Sequence, residues 1–562
     1  MKPSIEIRRP NMDEEKGRDE GYDGIGPANG HVPEPEGLQG VALAVVMTSI
    51  CLSMFLVSLD RTIIATAIPS MTNQFHSFED IAWYGSAYML TGCVMQLPLG
   101  MFYKIYPAKI VYITSVVIFE VGSAVCGGAP NSEAVIVGRA IQGFGSAGIF
   151  SGSMVLIVKA VPLSKRAMYT GFLGAIFGVS AVAGPLLGGA LTTHASWRWC
   201  FLINLPIGGV VLVIIFFIFP KQEERGGKKG DESAGAQAGR QSLLDKVLQF
   251  NPLGFCVLVP AVVCLLLALQ WGGSAYPWSS GRVIALLVMS GVLFIAFGID
   301  QALEGDRAMI KTETVKQRTV AAAFAFSNCI GGAMMTVIYY IPIWFQGIKS
   351  VSAVKSGEMS FPLLIALVLG SILSGALVSK LVGYPSPFMI AGAVLMAVGA
   401  GLLSTFTVST EHPKWIGYQV LFGIGLGCCM QHGSNAVQAV LPKSEVPPAI
   451  SLLFFGQQLG GSVFLSIAQN IMSQELINNV KSQLPDVDAS MIVKSGATDL
   501  RDAVSSDKMS VLLHVYNDAV VNVFYLAAAL AGVGVVVALF VEWKDMRTAE
   551  VDDHQESEKE DL

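Results

Sequence analysis

The sequence predicts an all-α polytopic membrane protein, and three observations carry that prediction. The chain of 562 residues is 52% hydrophobic and only 14% charged, whereas a soluble domain carries about 25% charged residues. Apolar runs long enough to cross hydrocarbon as a helix, about 20 residues each, recur along it fourteen times. Lys and Arg gather in alternate loops between those runs, as expected when one set of loops stays cytoplasmic.

The runs fall near 42–66, 82–103, 109–128, 134–160, 167–190, 199–219, 252–272, 283–304, 319–346, 356–380, 387–407, 415–440, 447–473 and 519–541. Residues 1–41 are polar and rich in Gly, Pro, Asp and Glu, and read as a disordered cytoplasmic tail rather than a signal peptide. A six-helix bundle is expected over 42–219, a cytoplasmic loop over 220–251, two inserted helices over 252–304, and a second cytoplasmic loop over 305–318. A further six-helix bundle follows over 319–541, with an outer loop at 474–518, and 542–562 form an acidic cytoplasmic tail. The inserted pair is the weakest part of this pattern, because its second run closes on Asp300 and Glu304. Lys104, Lys109, Lys159, Lys165, Arg166, Lys380 and Lys443 mark the cytoplasmic side.

Several function classes are excluded. There is no basic stripe or aromatic platform for nucleic acid. No Walker-type loop, H-E-x-x-H or G-x-S-x-G arrangement is present, so the chain reads as neither an ATP-driven pump nor an enzyme. All nine cysteines lie in or at the ends of apolar runs and read as packing residues. Cys428 and His432 have helical spacing but no third ligand, so no metal site is expected. No cofactor is expected either.

Ionisable residues inside a membrane span are functional candidates by default. The first run holds Asp60 and Arg61, the third Glu120, and the fourth Arg139 with Gln142 three residues on. A guanidinium keeps its charge, so a buried Arg139 needs a partner. Glu120 is either that partner or a separate proton-binding carboxyl. In the second half, amides dominate. Asn328, Gln431, His432, Asn435, Gln457 and Gln458 join Gln96 and Tyr340 as candidate cavity residues, and Gln431, Asn435 and Gln438 recur at helical spacing. Phe324, Phe326, Tyr339, Trp344, Phe345, Phe454 and Phe455 are aromatics that suit an amphiphilic ligand.

In the fifth run, Gly178, Gly184, Pro185, Gly188 and Gly189 remove side chains from a helix and place a bend in it. Such a surface lets another helix approach closely. The pattern G-x5-G-P-x2-G-G resembles the fifth-helix signature of exporters in the major facilitator superfamily. Leu59-Asp60-x-Thr62…Ala67-Ile-Pro69 resembles a motif of its fourteen-spanner drug:proton antiporters, and Arg139-x-x-Gln142-Gly143-x-Gly145-x-Ala147 the superfamily's fourth-helix motif. Trp197-Arg198-Trp199 to Asn204-Leu-Pro206-Ile-Gly208 is similar to that family's run into helix six. Glu120-x-Gly-Ser, Lys316-Gln-Arg318-Thr-Val-Ala-Ala and Phe455-x-Gln457-x-Leu-Gly460-Gly461 resemble fungal toxin and multidrug efflux pumps.

The resemblance implies the major facilitator fold, two six-helix bundles with two inserted helices, and a proton-driven exporter of small amphiphilic compounds. It implies Asp60, Arg61, Glu120, Arg139 and Gln142 as proton-coupling residues and the fifth-helix glycines as a conformational contact. The partners are then a small-molecule substrate, protons and the lipid bilayer, with no nucleic acid, and the chain reads as a plasma-membrane monomer. One departure stands out. Where the superfamily's loop after helix two usually carries Asp in Gly-x-x-x-Asp-Arg, Gly100-Met-Phe-Tyr-Lys104 carries Lys104. A vacuolar or plasma-membrane transporter of small cations or amino acids is the alternative on the same fold, and a non-transporting membrane receptor the alternative outside it. Cationic cargo would call for intramembrane carboxylates in the second half, and apart from Glu358 near a helix start they are missing.

Overall fold

The computed structural model of the chain describes residues 40–76, 80–219, 251–273, 276–485, 487 and 508–547. The expected tail 1–41, loop 220–251 and acidic tail 542–562 lie largely outside the described residues. The helices all fall within one compact unit, Gly37–Leu562. Among the described residues there is no strand, only an isolated bridge between Gly272 and Tyr276.

The first half consists of α1 (Gly40–Phe75), α2 (Ile81–Ile105), α3 (Ala108–Gly127), α4 (Ser132–Ala160) and α5 (Leu163–His194), then a sixth span broken into α6 (Trp199–Leu202) and α7 (Asn204–Ile218). The inserted pair is α8 (Pro252–Trp271) and α9 (Gly281–Glu304), followed by a short α10 (Thr312–Lys316). The second half begins with α11 (Arg318–Lys349), α12 (Ala353–Met359) and α13 (Phe361–Leu377). It continues with α14 (Ser386–Leu403), α15 (His412–Cys429), α16 (His432–Val440), α17 (Val446–Gln483) and α18 (Met509–Ala538). Each of the fourteen expected runs is predominantly helical. Among the described residues, 12 helical stretches are long and apolar enough to cross a membrane; α2 and the α15–α16 pair are not in that set, yet pack inside the same body.

Helices dominate because lipid offers the backbone no hydrogen-bond partner, so each span must satisfy its own peptide groups. Side chains start several of them. Asn131 accepts from the Ala134 amide at 3.0 Å to cap α4, and Gln317 accepts from Val320 at 2.9 Å to cap α11. Asn251 caps α8 by accepting from Gly254 at 2.8 Å, and its own amide donates to Asp300 at 2.7 Å. Asp300 also accepts from Gln301 at 2.9 Å. The acidic close of α9 is thus tied to the start of α8, which explains how the inserted pair accommodates that carboxylate.

Large apolar side chains such as Val117, Phe217, Val288, Ile295, Leu373 and Val536 remain exposed around the outside, where lipid would cover them. The halves meet along two seams, α5 against α13 and α2 against α17. The inserted pair is attached through α8, which packs on α2 and α17.

The expected outer loop 474–518 is shorter as a loop. Helix α17 continues to Gln483 and α18 starts at Met509, because Leu476 and Val480, then Leu512 and Val515, recur at helical spacing and bury against the second half's core. Residues 488–507 lie outside the described residues.

Candidate functional site

Asp60 sits fully buried on α1, and its partner is Arg139 of α4, itself 1% exposed; the Arg139 Nη1 donates to Asp60 Oδ2. Gln142, one turn beyond Arg139, accepts from Arg139 Nη1 at 3.0 Å and donates to Asp60 Oδ1 at 2.9 Å and Ser123 at 2.8 Å. Asn204 of α7 donates to Asp60 Oδ1 at 3.3 Å and to Ser123 at 3.2 Å. The Arg139 Nε donates to the Tyr84 carbonyl at 2.9 Å, and the guanidinium lies 4.3 Å from the centre of the Tyr88 ring. A charged pair survives burial only when its remaining hydrogen-bonding capacity is met, and four helices supply that here.

Glu120 is not part of the pair. Both of its carboxylate oxygens are buried without a hydrogen-bond partner, and the carboxylate fills the space that a side chain at Gly208 would occupy. The sequence left two roles open for Glu120, and the structure gives Arg139 to Asp60 instead.

Arg61 points elsewhere, because adjacent helical side chains diverge by about 100°. It faces a cavity between the halves with about 690 Å³ of empty space, part of it open to solvent. The first half contributes Arg61, Met89, Phe150 and Phe177. From the second half come Met334, Met335 and the Met430–Gln431 break between α15 and α16, with Phe454, Gln457 and Gln458 of α17. The Arg61 Nη2 donates to Gln458 Oε1. Of the eight residues the sequence offered as cavity residues, Gln431, Gln457 and Gln458 line this space.

The other five lie apart from it. Gln96 donates to Ser151. Asn328 donates to the Phe324 carbonyl at 3.4 Å, and Tyr340 is buried in the second half's apolar core. His432 stacks 5.5 Å from Phe388, and Asn435 donates to Thr170 of α5 at 3.1 Å, across the seam. The methionines and Phe150, Phe177 and Leu465 carried no sequence signal, since an apolar residue in an apolar helix reads the same whether it faces lipid, core or cavity.

The fifth-helix glycines divide between two neighbours. A side chain at Gly178 would meet Val368 and Leu367 of the other half, whereas Gly184 and Gly188 lie against Thr62, Ile63 and Thr66 of α1, in their own half. Gly189 has nothing near it. The seam with α13 is extended by Gly171 and Gly174, which lie against Ser371. Helix α5 runs unbroken through Pro185.

At the end of the body that carries the basic loops, Lys104 Nζ donates to Glu445 Oε1 and Oε2 at 3.0 and 3.1 Å, and Lys311 lies 3.5 Å from the same carboxylate. Ser379 accepts from the Met168 amide at 2.9 Å and Ser451 donates to Ser151 at 2.9 Å, also across the halves. The lysine that departs from the family pattern therefore bridges the halves, with the acid on the opposite side.

These features define a polytopic helical carrier with a central cavity between two halves. A family model for the Major Facilitator Superfamily matches residues 50–465. The chain is 48% identical over 512 residues to the MFS-type transporter VdtG of Byssochlamys spectabilis, covering 91% of this chain and 89% of that one. It is 44% identical to the MFS-type efflux pump MFS1 of Trichophyton rubrum, covering 96% and 99%, and 45% identical to the efflux pump aflT of Aspergillus parasiticus, covering 91% and 97%. A bacterial homolog of the human lysosomal transporter Spinster shares the fold at a TM-score of 0.54 with 14% identity, over 90% of this chain and 98% of that one. The chain belongs to the major facilitator superfamily. It is a multi-pass membrane transporter of the efflux type acting on a small molecule, and not an enzyme.

Proposed function

We propose that the protein exports small amphiphilic organic compounds, a fungal secondary metabolite or toxin or a drug, in exchange for protons. One observation carries the reading: Asp60, buried and paired with Arg139 of α4, lies on the same turn of α1 as Arg61, which faces the cavity. Protonating Asp60 would release Arg139 from its carboxylate partner, so proton binding and the packing of α1, α4 and α7 are linked through one group. Glu120, buried and without a donor, is a second carboxyl available to hold a proton beside it.

The cavity between the halves suits alternating access. The bridges Lys104–Glu445, Met168–Ser379 and Ser151–Ser451 close the basic end, which the loop charges make cytoplasmic. The resemblance to efflux pumps favours the plasma membrane and a single chain as the working unit, with the proton gradient rather than a cofactor as energy source. The test is transport by the purified chain in lipid vesicles. An imposed pH gradient should drive a fluorescent aromatic test compound such as a pyrene sulfonate across the membrane, and a protonophore should stop it. Transport that persists at full rate with the gradient collapsed overturns proton coupling.

A further inference from the structure

We propose that the cavity selects organic anions: aromatic or polycyclic molecules bearing one acidic oxygen group, which Arg61 binds. The inference rests on the exporter reading for its physiological meaning, but on the cavity alone for its chemistry. Arg61 is the sole ionised side chain among the described residues that line the space, and a guanidinium does not shed its charge. No carboxylate among the described residues lies within ion-pair distance of it. Asp60, next to it in sequence, is turned away into Arg139, Gln142 and Asn204. What Arg61 does have is incomplete. One Nη donates to Gln458, while Nε is buried with no partner.

A buried donor on a charged group, left without an acceptor, is costly. A ligand oxygen carrying negative charge would satisfy it with a strong charge-assisted hydrogen bond. Gln431 adds a buried amide oxygen with no partner at the cavity wall, which suits a hydroxyl or amide donor on the same ligand. The rest of the wall fits an aromatic body. Phe150 and Phe454 stand 5.5 Å apart edge to face, and Met334, Met335 and Met430 supply pliable, polarisable surface. A second, much tighter void shares Met430, Phe454 and Gln457 with the first. The site is thus charged at one end and apolar at the other, and the charge is positive. A cation would find no carboxylate to meet it.

The experiment uses the full chain in lipid nanodiscs and three pyrene probes of one shape: the sulfonate, the methanol and the methylammonium. Fluorescence titration should show the sulfonate binding about tenfold or more tightly than the alcohol, and the ammonium weakest. Arg61→Gln should erase the preference for the sulfonate while leaving the alcohol nearly unchanged, and Arg61→Lys should keep part of it. Equal binding of sulfonate and alcohol, strongest binding of the ammonium, or a preference that survives Arg61→Gln each overturns the assignment. The wild-type preference decides the matter even if Arg61→Gln does not fold. Vesicle transport separates this from the exporter reading. If a pH gradient moves none of the probes while the sulfonate still binds preferentially, proton-driven export falls and the anion site stands. If it moves the ammonium and not the sulfonate, the reverse holds.

Discussion

In the first half of the body the buried ion pair is closed by its neighbours: Asp60, Arg139, Gln142, Asn204 and Ser123 exchange hydrogen bonds across α1, α3, α4 and α7, while Glu120 and the Nε of Arg61 stay without a partner. The second half's buried amides are neutral, and several are loosely tied. Gln431 has a buried oxygen without a partner, both side-chain polar atoms of Gln438 lack one, and His432 meets Asn435 only at 3.4 Å. A buried ion pair needs its remaining hydrogen bonds met, so it enforces a network and a defined geometry. A buried amide costs less when unmatched, so it can stand at a surface that must slide or receive a ligand. Under the proposed exchange the first half would hold the proton chemistry and the second half would adapt around it.

Removing the charge should produce the largest effect. Asp60→Asn keeps the shape but leaves the Arg139 cation without a carboxylate, and breaking a buried pair costs about 3–5 kcal/mol. Proton-driven efflux should be lost and the melting temperature should fall, as read by vesicle transport and thermal unfolding. If transport is undiminished, the coupling carboxyl is Glu120 and the ionic half is merely structural. No single amide substitution in the second half should match this loss.

Next comes the fifth helix. Gly188→Leu drives a side chain into Ile63, whose Cγ1 and carbonyl oxygen lie 2.8 and 2.9 Å from where a Cβ would stand. Overpacking of this kind costs about 1–3 kcal/mol and bears on the helix that carries Asp60. Efflux should drop steeply, whereas Gly189→Leu, which meets nothing within 4 Å, should be silent. Equal effects of the two would mean that the contact with α1 is ordinary packing.

A smaller change is expected from Gln438→Leu. With no hydrogen bond to lose, the substitution removes a desolvated amide and should leave stability unchanged or raise it by about 1 kcal/mol. A fall in melting temperature of several degrees would show that the second half's amides are as tightly engaged as the first half's ions.

The mildest effect concerns the bridge between the halves. Lys104→Glu sets like charges together at the largely buried Glu445, where Lys311 remains 3.5 Å from the carboxylate and offsets part of the repulsion. Alkylation of a cysteine placed at Ser451 should quicken severalfold, in a chain whose exposed Cys256 is replaced by serine. Combining Lys104→Glu with Glu445→Lys should restore part of the original rate, since Lys311 then faces a second lysine. If the double variant stays fast, the reversed pair does not act as a latch.

That the chain is an all-helical, multi-pass membrane protein was readable from the chain alone, because lipid imposes one length and one periodicity on any crossing helix. Asp60 and Arg139 stood out as well, since a charge in an apolar run is conspicuous wherever it points, and Gln142 lies one turn from Arg139. Their pairing was not legible. Asp60 and Glu120 are both carboxyls on first-half helices, and only the crossing of α1 with α4 decides which of them reaches Arg139. The glycine pattern of α5 announced close packing without a partner: over ten residues the helix turns far enough for Gly178 to face the other half while Gly184 and Gly188 face α1. The cavity was least visible of all. Met89, Phe150, Phe177, Met334 and Met335 obey the same apolar rule as their lipid-facing neighbours, and what makes them a binding wall is the space left where two bundles fail to close, which no local pattern encodes. Composition and periodicity fix what each helix is; which faces meet, and what remains open between them, is decided by packing among all of them at once.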